Sequence, residues 1–227
     1  MPTAKKVSKV RVFPVDLYVM TLLGIISEGK RLMSFRKGKK VFSQGAPADA
    51  IYFVQSGRVK ITVVSASGKE AVLAVLGPHD FFGEGSLVGQ SVRMSTATTL
   101  DAATLVQVEN RAMLRALHEQ ADLSEKFMGS LLARNINLEE DLCDQLFNHS
   151  EKRLARVLLK LARLHEHSIM RDAEIPALSH ETLAEMVGTT RSRINHFMNK
   201  FRKLGLIDDN GGLTVRTELL TDLVLHD

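Results

Sequence analysis

Residues 179–201 place apolar side chains at helical spacing on both sides of one glycine. The apolar residues before the glycine lie on one side of a short helix and are Leu183, Ala184 and Val187. Gly188 has the backbone freedom that a sharp turn between two helices needs, and Thr189 or Thr190 can cap the second helix. The pattern predicts a helix-turn-helix.

The second predicted helix is amphipathic and basic. Its apolar stripe comprises Ile194, Phe197, Met198 and Phe201. From Arg191 to Lys203 five residues are Lys or Arg and none is Asp or Glu, so the exposed face suits a DNA major groove, where an arginine fork matches two guanine acceptors. The predicted DNA contacts are Thr189, Thr190, Arg191, Ser192, Arg193, His196 and Lys200. An ordinary helix with solvated arginines is the alternative.

The composition suits two modest soluble domains. The chain has 227 residues, 44% hydrophobic and 25% charged, and its formal net charge of +4 permits a polyanionic partner. The single cysteine, Cys143, excludes an intramolecular disulfide and an iron–sulfur cluster held by cysteines alone. No apolar run approaches the roughly 18 residues of a membrane span. We therefore expect a cytoplasmic protein without a membrane segment.

Short alternating apolar runs, separated by glycine-containing turns, fill residues 31–108. The predicted strands are residues 41–42, 51–54, 59–64, 71–76 and 105–108. Their spacing favours a compact antiparallel barrel or roll over a parallel sheet. Residues 1–12 are a basic tail, and the recurrence of Leu17, Met20, Leu23 and Ile26 predicts a short helix after it.

Residues 110–149 contain no proline and one glycine, which predicts a single long helix. One stripe has the alternating spacing of a coiled-coil seam and comprises Met128, Leu131, Asn135, Leu138, Leu142 and Gln145. A neighbouring apolar face carries Leu132, Ile136, Cys143, Leu146 and Phe147. We expect one face to rest on the strand domain and the other on a second copy, with Asn135 fixing the register. A single helix in a monomeric core is the alternative.

The C-terminal third begins with an amphipathic helix after Ser150, followed by a polar loop at residues 165–174. His165 and His167 in that loop are spaced to point apart on a helix, so we predict no metal site. Beyond the helix-turn-helix, a hairpin across residues 209–212 with a returning strand at 213–215 predicts a wing.

A glycine-rich loop in the strand domain has chemistry of its own. Its closely spaced glycines let backbone N–H groups converge on an anion. Glu84 can accept hydrogen bonds from sugar hydroxyls, and Arg93 can bind a phosphate. The candidate effector-binding residues are Gly83, Glu84, Gly85, Ser86, Arg93, Ser95 and Thr96.

Together and in this order, these motifs resemble the Crp/Fnr superfamily of bacterial transcription regulators over residues 30–227. The resemblance implies an α+β protein with an N-terminal cyclic-nucleotide-binding-type β-roll, a long dimerisation helix and a C-terminal winged helix-turn-helix. The corresponding divisions are residues 1–19 for the tail and the start of the first helix, 20–118 for the roll, 119–149 for the dimerisation helix and 150–227 for the DNA-binding domain.

The resemblance also implies function. It predicts a homodimer that binds a pseudo-palindromic operator in double-stranded DNA, with a cyclic nucleotide (cAMP or cGMP) as effector and RNA polymerase as a further partner. Gly83, Glu84 and Arg93 match the family residues that hold the ribose and the cyclic phosphate. The positions that face bases in the family are Arg191, Ser192 and His196.

Three departures from the family pattern leave the effector open. Met94 stands where a hydroxyl residue usually follows the phosphate-binding arginine, and the loop from Glu84 to Arg93 is one residue short. Leu138 and Glu139 replace two hydroxyl residues that contact adenine. The alternatives are another effector, or an effector-free loop in which Glu84 pairs with Arg93.

Other classes of function find little support in the sequence. No G-x-S-x-G elbow or H-E-x-x-H motif occurs, and no histidine lies near Ser86 in the sequence, so we predict no catalytic site. The remaining alternative to a DNA-binding regulator is a nucleotide-binding module that regulates a protein partner.

Overall fold

The computed structural model describes residue 24 and residues 26–165, 172–175, 178–208 and 212–225. The strands are β1 (Lys30–Phe35), β2 (Lys40–Phe42), β3 (Ala50–Ser56), β4 (Val59–Val64), β5 (Glu70–Leu76), β6 (Phe81–Phe82), β7 (Thr96–Thr99), β8 (Ala103–Glu109), β9 (Asp172–Ile175), β10 (Ile207–Asp208) and β11 (Leu213–Arg216). The helices are α1 (Asn110–Glu119), α2 (Ala121–Phe147), α3 (Ser150–His165), α4 (His180–Val187), α5 (Arg191–Lys203) and α6 (Thr217–Leu225), with a 3-10 helix at Glu84–Val88.

Three predicted features lie mostly or wholly outside the described residues. They are the basic tail with nearly all of the short helix expected after it, most of the polar loop at residues 165–174 with His167 of its histidine pair, and the tip of the wing hairpin at residues 209–211. Within the described ranges, no helix is both long and apolar enough to cross a membrane.

The N-terminal domain is an antiparallel roll of two four-stranded sheets. Their strand orders are β1-β8-β3-β6 and β2-β7-β4-β5. All five predicted strands are confirmed. Three further strands escaped prediction, because β6 has only two residues, β7 has the sequence Thr-Ala-Thr-Thr, and β1 has mostly exposed side chains with little apolar alternation.

Strand β3 is buried on both of its faces, from Ala50 to Val54. Tyr52 and Val54 pack in the roll interior, whereas Ile51 and Phe53 pack against the helices outside the first sheet. Successive side chains of a strand point to opposite faces, so this one strand contributes to two hydrophobic cores. It thereby fixes the roll to the helical layer.

The predicted single helix over residues 110–149 is wrong in one respect, because the chain forms two helices that meet at Gln120. There the backbone is extended, with φ −120° and ψ 94°. The break lets Met113 of α1 and Leu123 of α2 enter the same core beside the roll. Neither proline nor glycine marks this position, so the sequence carries no local signal for it.

Helix α2 contacts the roll through a face that shares only Leu131 with the predicted stripes. Leu123 and Phe127 are buried against the roll, and Leu131 packs partly beside them. Both predicted stripes remain largely solvent-exposed in the single chain, so the expectation that one of them rests on the strand domain was wrong. The exposed apolar side chains of the two stripes are Met128, Leu132, Ile136, Leu138, Leu142, Leu146 and Phe147.

The C-terminal domain has one core, formed by α3 to α6 and a three-stranded sheet of order β10-β11-β9. The predicted wing is confirmed by antiparallel pairing of β10 with β11, in which Ile207 lies opposite Val215. The end of the predicted polar loop is instead strand β9, which pairs with β11 through Ala173 and Ile175. Both residues are buried, but an alternating pattern of two apolar residues is too short to predict a strand.

Candidate nucleic-acid interface and effector site

The helix-turn-helix is built by two caps and one glycine. The Ser179 hydroxyl accepts a hydrogen bond from the Thr182 backbone N–H at 3.0 Å and so begins α4. Gly188 ends α4 in the left-handed region at φ 67°, which a glycine adopts without steric cost. Of the two residues predicted to cap α5, Thr190 is the cap, because its hydroxyl accepts a hydrogen bond from the Arg193 backbone N–H at 3.3 Å.

Helix α5 buries one face and presents the other to solvent. Ile194, Met198 and Phe201 are buried as predicted, while Phe197 is half-buried. The predicted contact residues that are exposed on α5 are Arg191, Ser192, Arg193, His196 and Lys200. Thr190 is exposed and Thr189 half-buried, and Lys200 forms an ion pair with Glu151 at 2.7 Å. The first two turns of α5 therefore carry the free polar face.

Arg153 of α3 fixes the turn of the motif, a role that the sequence pattern did not predict. Its guanidinium donates to the carbonyls of Val187 at 3.0 Å and Gly188 at 3.4 Å. It also donates to the Asn148 carbonyl, between α2 and α3, at 3.2 Å. Gln145, predicted in the dimer seam, donates to the same Val187 carbonyl at 3.4 Å. The turn is thus tied to the C-terminal end of α2.

Ion pairs join α2 to α3. Asp144 is buried, binds Arg156 at 2.8 Å and accepts from the Asn148 side chain at 2.8 Å. Asp141 pairs with Lys160 one turn further along α3. These ion pairs attach the end of α2 to α3, the helix that carries Arg153.

The roll also contacts the helix-turn-helix directly. Lys60 on β4 lies 3.4 Å from Glu185 of α4 and 3.5 Å from Glu70 of β5. Val75 of β5 packs against the core of the C-terminal domain. We call this contact the roll–helix seam, meaning Lys60, Glu70, Val75 and Glu185. Through this seam the roll contacts the C-terminal domain directly, in addition to its connection through α2.

Lys60→Gln and Glu185→Gln should couple in a double-mutant cycle of thermal unfolding. Both side chains are about four-fifths buried, so we expect a coupling free energy of about 0.5–1 kcal/mol. Lys60→Gln with Asp222→Gln on the distant face of α6 serves as the uncoupled control. Simple additivity of the Lys60 and Glu185 changes would show that the seam contributes no interaction.

The glycine-rich loop is organised around Arg93, whose side chain is only 4% exposed. One terminal nitrogen donates to the Ala50 carbonyl at 2.6 Å and lies 3.8 Å from the Asp49 carboxylate. The other donates to the Gly83 carbonyl at 3.2 Å. Gly83 has φ 81°, and a Cβ there would lie 2.6 Å from that nitrogen, so only glycine lets the arginine occupy this position.

Arg93 retains N–H donors that could hold an anion, and its Nε has no partner at all among the described residues. Its guanidinium lies over the rings of Phe42 and Tyr52, with centroid distances of 4.4 and 5.5 Å. Burial lowers its pKa, while Tyr52, Asp49 and other negative groups oppose that shift. Its Nε–H is buried without an acceptor among the described residues. A buried, unsatisfied N–H of a cation is unfavourable, so this atom fits an anionic ligand group.

Glu84 pairs with Arg134 of α2, at 2.7 Å, and not with Arg93. The predicted Glu84–Arg93 pair is therefore wrong, and Arg134 takes the place of Arg93 in it. Arg134 also donates to the Phe81 carbonyl, and its charge opposes the rise that burial causes in the pKa of Asp80. One arginine of α2 thus holds the glycine-rich loop, which sequence spacing alone did not reveal.

The other candidate effector residues mostly bind the protein itself. Ser86 donates to the Asn110 side chain at 2.7 Å and to the Gly83 carbonyl at 2.9 Å. Thr96 accepts from the Gln44 N–H at 3.0 Å. Ser95 is half-buried, and Met94 is exposed. The Ser86 hydroxyl proton is used within the protein, whereas Thr96 only accepts and keeps its O–H as a donor. Arg93, Glu84, Ser95 and Thr96 are therefore the groups left for a ligand.

The fold and the two sites define a protein that joins a roll of the ligand-binding type to a DNA-binding winged helix. Residues 32–120 match the cyclic nucleotide-binding domain, and residues 152–220 match the Crp-like helix-turn-helix domain. The chain belongs to the CRP/FNR family of transcription regulators. This family consists of transcription regulators rather than enzymes.

Two relatives show the extent of the similarity. The CRP-like cAMP-activated global transcriptional regulator of Mycobacterium tuberculosis is 31% identical over 178 residues, covering 77% of this chain and 79% of that protein. The cyclic AMP receptor protein of Thermus thermophilus is 30% identical over 76% of this chain and 77% of its own length. Both cover the roll and the DNA-binding domain together.

Solved structures agree on the fold. The c-di-GMP responsive global regulator of Xanthomonas campestris gives a TM-score of 0.72 at 21% identity, covering 88% of this chain and 99% of that one. A CRP/FNR-family regulator of Thermus thermophilus gives 0.71 at 22% identity, covering 86% and 98%. The α+β architecture predicted from the sequence is thereby confirmed.

Proposed function

We propose that the protein is a homodimeric, sequence-specific DNA-binding regulator of transcription that acts in the cytoplasm. The observation that supports this best is the free polar face of α5, which carries Arg191, Ser192, Arg193 and His196 beside a capped helix N-terminus. Such a face enters a major groove with its N-terminal residues nearest the base edges. RNA polymerase is the protein partner that this function would require.

Dimerisation is proposed on the exposed seam of α2. Leu138 is 49% exposed and Leu142 is 58% exposed, one turn apart on a helix whose other face already packs on the roll. Exposed leucines at coiled-coil spacing are favourable only when a second helix covers them. A two-fold axis along α2 would present two α5 helices to half-sites about 34 Å apart, one duplex turn.

Arg191→Ala tests the reading face. We expect a loss of about 1–3 kcal/mol of operator affinity and a relaxed preference at one symmetric base pair, because a bidentate base contact would be removed. Binding-site selection on wild type and variant measures both effects. Arg202→Ala, about 16 Å along the same helix, is the matched control and should leave the preference intact. An unchanged site preference for Arg191→Ala would refute the assignment.

We propose a cyclic nucleotide as the effector of the roll. Arg93 Nε–H is the buried donor available to a cyclic phosphate, and Glu84 has a second carboxylate oxygen for ribose hydroxyls. The match to a cyclic nucleotide-binding domain supports this choice. Arg134 would couple an occupied loop to α2, because it already binds Glu84 and the Phe81 carbonyl. Leu138 and Glu139 lack hydroxyl groups, so these two residues do not select the base of the cyclic nucleotide.

Calorimetry with cAMP, cGMP and c-di-GMP, with and without operator DNA, tests the effector. We expect heat of binding from one cyclic nucleotide and tighter operator affinity in its presence, since an effector must bind the two states differently. Glu84→Gln should weaken that nucleotide about 10- to 100-fold through loss of a charged acceptor. Glu125→Gln on the exposed side of α2 is the control. No heat from any of the three would reject the proposal.

A further inference from the structure

Asn110, the first residue of α1, belongs to neither candidate site. An asparagine near the start of a helix commonly bonds the free backbone N–H groups of that helix. Here the N-cap residue Glu109 forms no side-chain hydrogen bond to the first turn of α1, and the Asn110 side chain bonds parts of the roll instead. The side chain therefore acts on the roll rather than on its own helix.

Hydrogen bonds from Asn110 join two segments of the roll. Its side-chain oxygen accepts from the Ser86 hydroxyl at 2.7 Å, and its side-chain nitrogen donates to the Ser86 carbonyl at 3.3 Å. The same nitrogen donates to the Ala48 carbonyl at 3.4 Å, and the Asn110 backbone N–H donates to the Asp49 carbonyl at 3.1 Å. Ser86 lies in the 3-10 helix that begins with Glu84, whereas Ala48 and Asp49 lead into β3.

These two segments place the groups that are proposed to bind the effector. Glu84 is the first residue of the 3-10 helix. The Arg93 guanidinium donates to the Ala50 carbonyl at 2.6 Å and lies 3.8 Å from the Asp49 carboxylate. The spacing of Glu84 and Arg93 therefore depends on how the 3-10 helix lies against Asp49 and Ala50. Asn110 fixes that arrangement.

The Ser86 hydroxyl links Asn110 to Arg93. This hydroxyl has one proton and three acceptors within range, namely the Asn110 side-chain oxygen at 2.7 Å, the Gly83 carbonyl at 2.9 Å and the Ala50 carbonyl at 3.4 Å. The Gly83 and Ala50 carbonyls also accept from the Arg93 guanidinium. Asn110 offers the shortest contact, so removal of its side chain would turn the Ser86 proton toward the carbonyls that orient Arg93.

We propose that Asn110 is a positioning residue of the effector site, which sets the spacing and orientation of Glu84 and Arg93 and acts on the ligand only through them. This inference rests on the proposed function, because it requires a cyclic nucleotide in the roll. A carboxylate and a guanidinium bind the ribose and the phosphate of one nucleotide most tightly when both are held in place beforehand. Arg134 of α2 holds Glu84 as well, so α1 and α2 each supply one contact to the loop.

A double-mutant cycle on nucleotide affinity tests this role. Calorimetry measures the dissociation constants of cAMP and cGMP for wild type, Ser86→Ala, Asn110→Ala and the double variant. Asn110→Ala should weaken the nucleotide that wild type binds by about 5- to 20-fold, because the hydrogen bonds that place the loop are lost. The double variant should bind no more weakly than Asn110→Ala, because both changes remove the same contact.

Thr99→Ala is the control for general destabilisation of the roll. Thr99 is a buried residue whose hydroxyl donates to the Arg36 carbonyl at 2.8 Å, in the turn between β1 and β2. Its loss should lower the thermal stability of the roll and leave nucleotide affinity unchanged. The comparison therefore separates a positioning role from a purely structural one.

Hydrogen exchange of the nucleotide-free protein measures the hold of Asn110 on the loop directly. The Ser86 and Gln90 backbone N–H groups form hydrogen bonds within the loop, at 3.4 and 3.1 Å. Both amides should exchange faster in Asn110→Ala than in wild type, and at the wild-type rate in Thr99→Ala.

Wild-type nucleotide affinity in Asn110→Ala would overturn the proposal. Additive losses from Ser86→Ala and Asn110→Ala would also overturn it, since the two residues would then act independently. If wild type bound neither nucleotide while Asn110→Ala still lost protection in the loop, the hold of Asn110 on Glu84 and Arg93 would stand, and the cyclic nucleotide of the proposed function would be rejected.

Discussion

Replacing Leu138 and Leu142 together with glutamate is expected to yield a folded monomer whose operator affinity is lower by about 10²- to 10⁴-fold. Both leucines are about half exposed in the single chain, so their replacement costs the monomer little. In a coiled-coil seam, however, four carboxylates would meet across the interface. The loss of the second reading helix then removes the gain in effective concentration that a linked pair of contacts provides.

Light scattering and operator titration measure the two parts of this prediction separately. Leu32→Glu on β1 is the matched control, since Leu32 is an exposed leucine (63%) that does not belong to the α2 seam, and the dimer should persist in that variant. A doubly substituted protein that remains dimeric would show that α2 does not form the interface. A monomer with wild-type affinity would show that DNA binding needs only one copy.

Arg93→Ala is expected to destabilise the roll by about 3–5 kcal/mol. The change removes the guanidinium hydrogen bonds to the Ala50 and Gly83 carbonyls and opens a cavity beside the Phe42 and Tyr52 rings. Arg93→Lys should recover only part of the loss, because an ammonium lacks the planar fork that reaches both Ala50 and Gly83. Equilibrium unfolding in urea measures the free energy of unfolding for each variant.

Arg115→Ala, on the exposed side of α1, is the control and should change the free energy of unfolding by less than about 0.5 kcal/mol. If Arg93→Ala were equally mild, Arg93 would have no structural role, and its buried position in the roll would need another explanation.

Periodicity predicted those parts of the fold that carry a repeated local signal. The caps and the single glycine of the helix-turn-helix, the five predicted strands of the roll and the wing pairing all follow from short local patterns. The break at Gln120 did not, because it is set by the packing of Met113 and Leu123 into one core rather than by a breaker residue. Tertiary packing overrode a continuous helical pattern there.

The sequence predicted which residues form the candidate sites, but it did not predict which residues they contact. Gly83, Glu84 and Arg93 were identified by their chemistry, yet the partner of Glu84 is Arg134, fifty residues away on α2. Arg153 is similarly remote from the turn that it binds. Contacts between residues that are far apart in the chain produce no regular interval in a single sequence. Only the folded structure reveals them.

Two α5 helices of a dimer should read one duplex together. Selection of binding sites from a random duplex pool by the purified wild-type protein tests this most directly. We predict an inverted repeat whose half-site centres are separated by about 10 base pairs, the spacing that a two-fold dimer imposes on B-DNA. Enrichment of a single, non-symmetric motif, or of no motif, would contradict it.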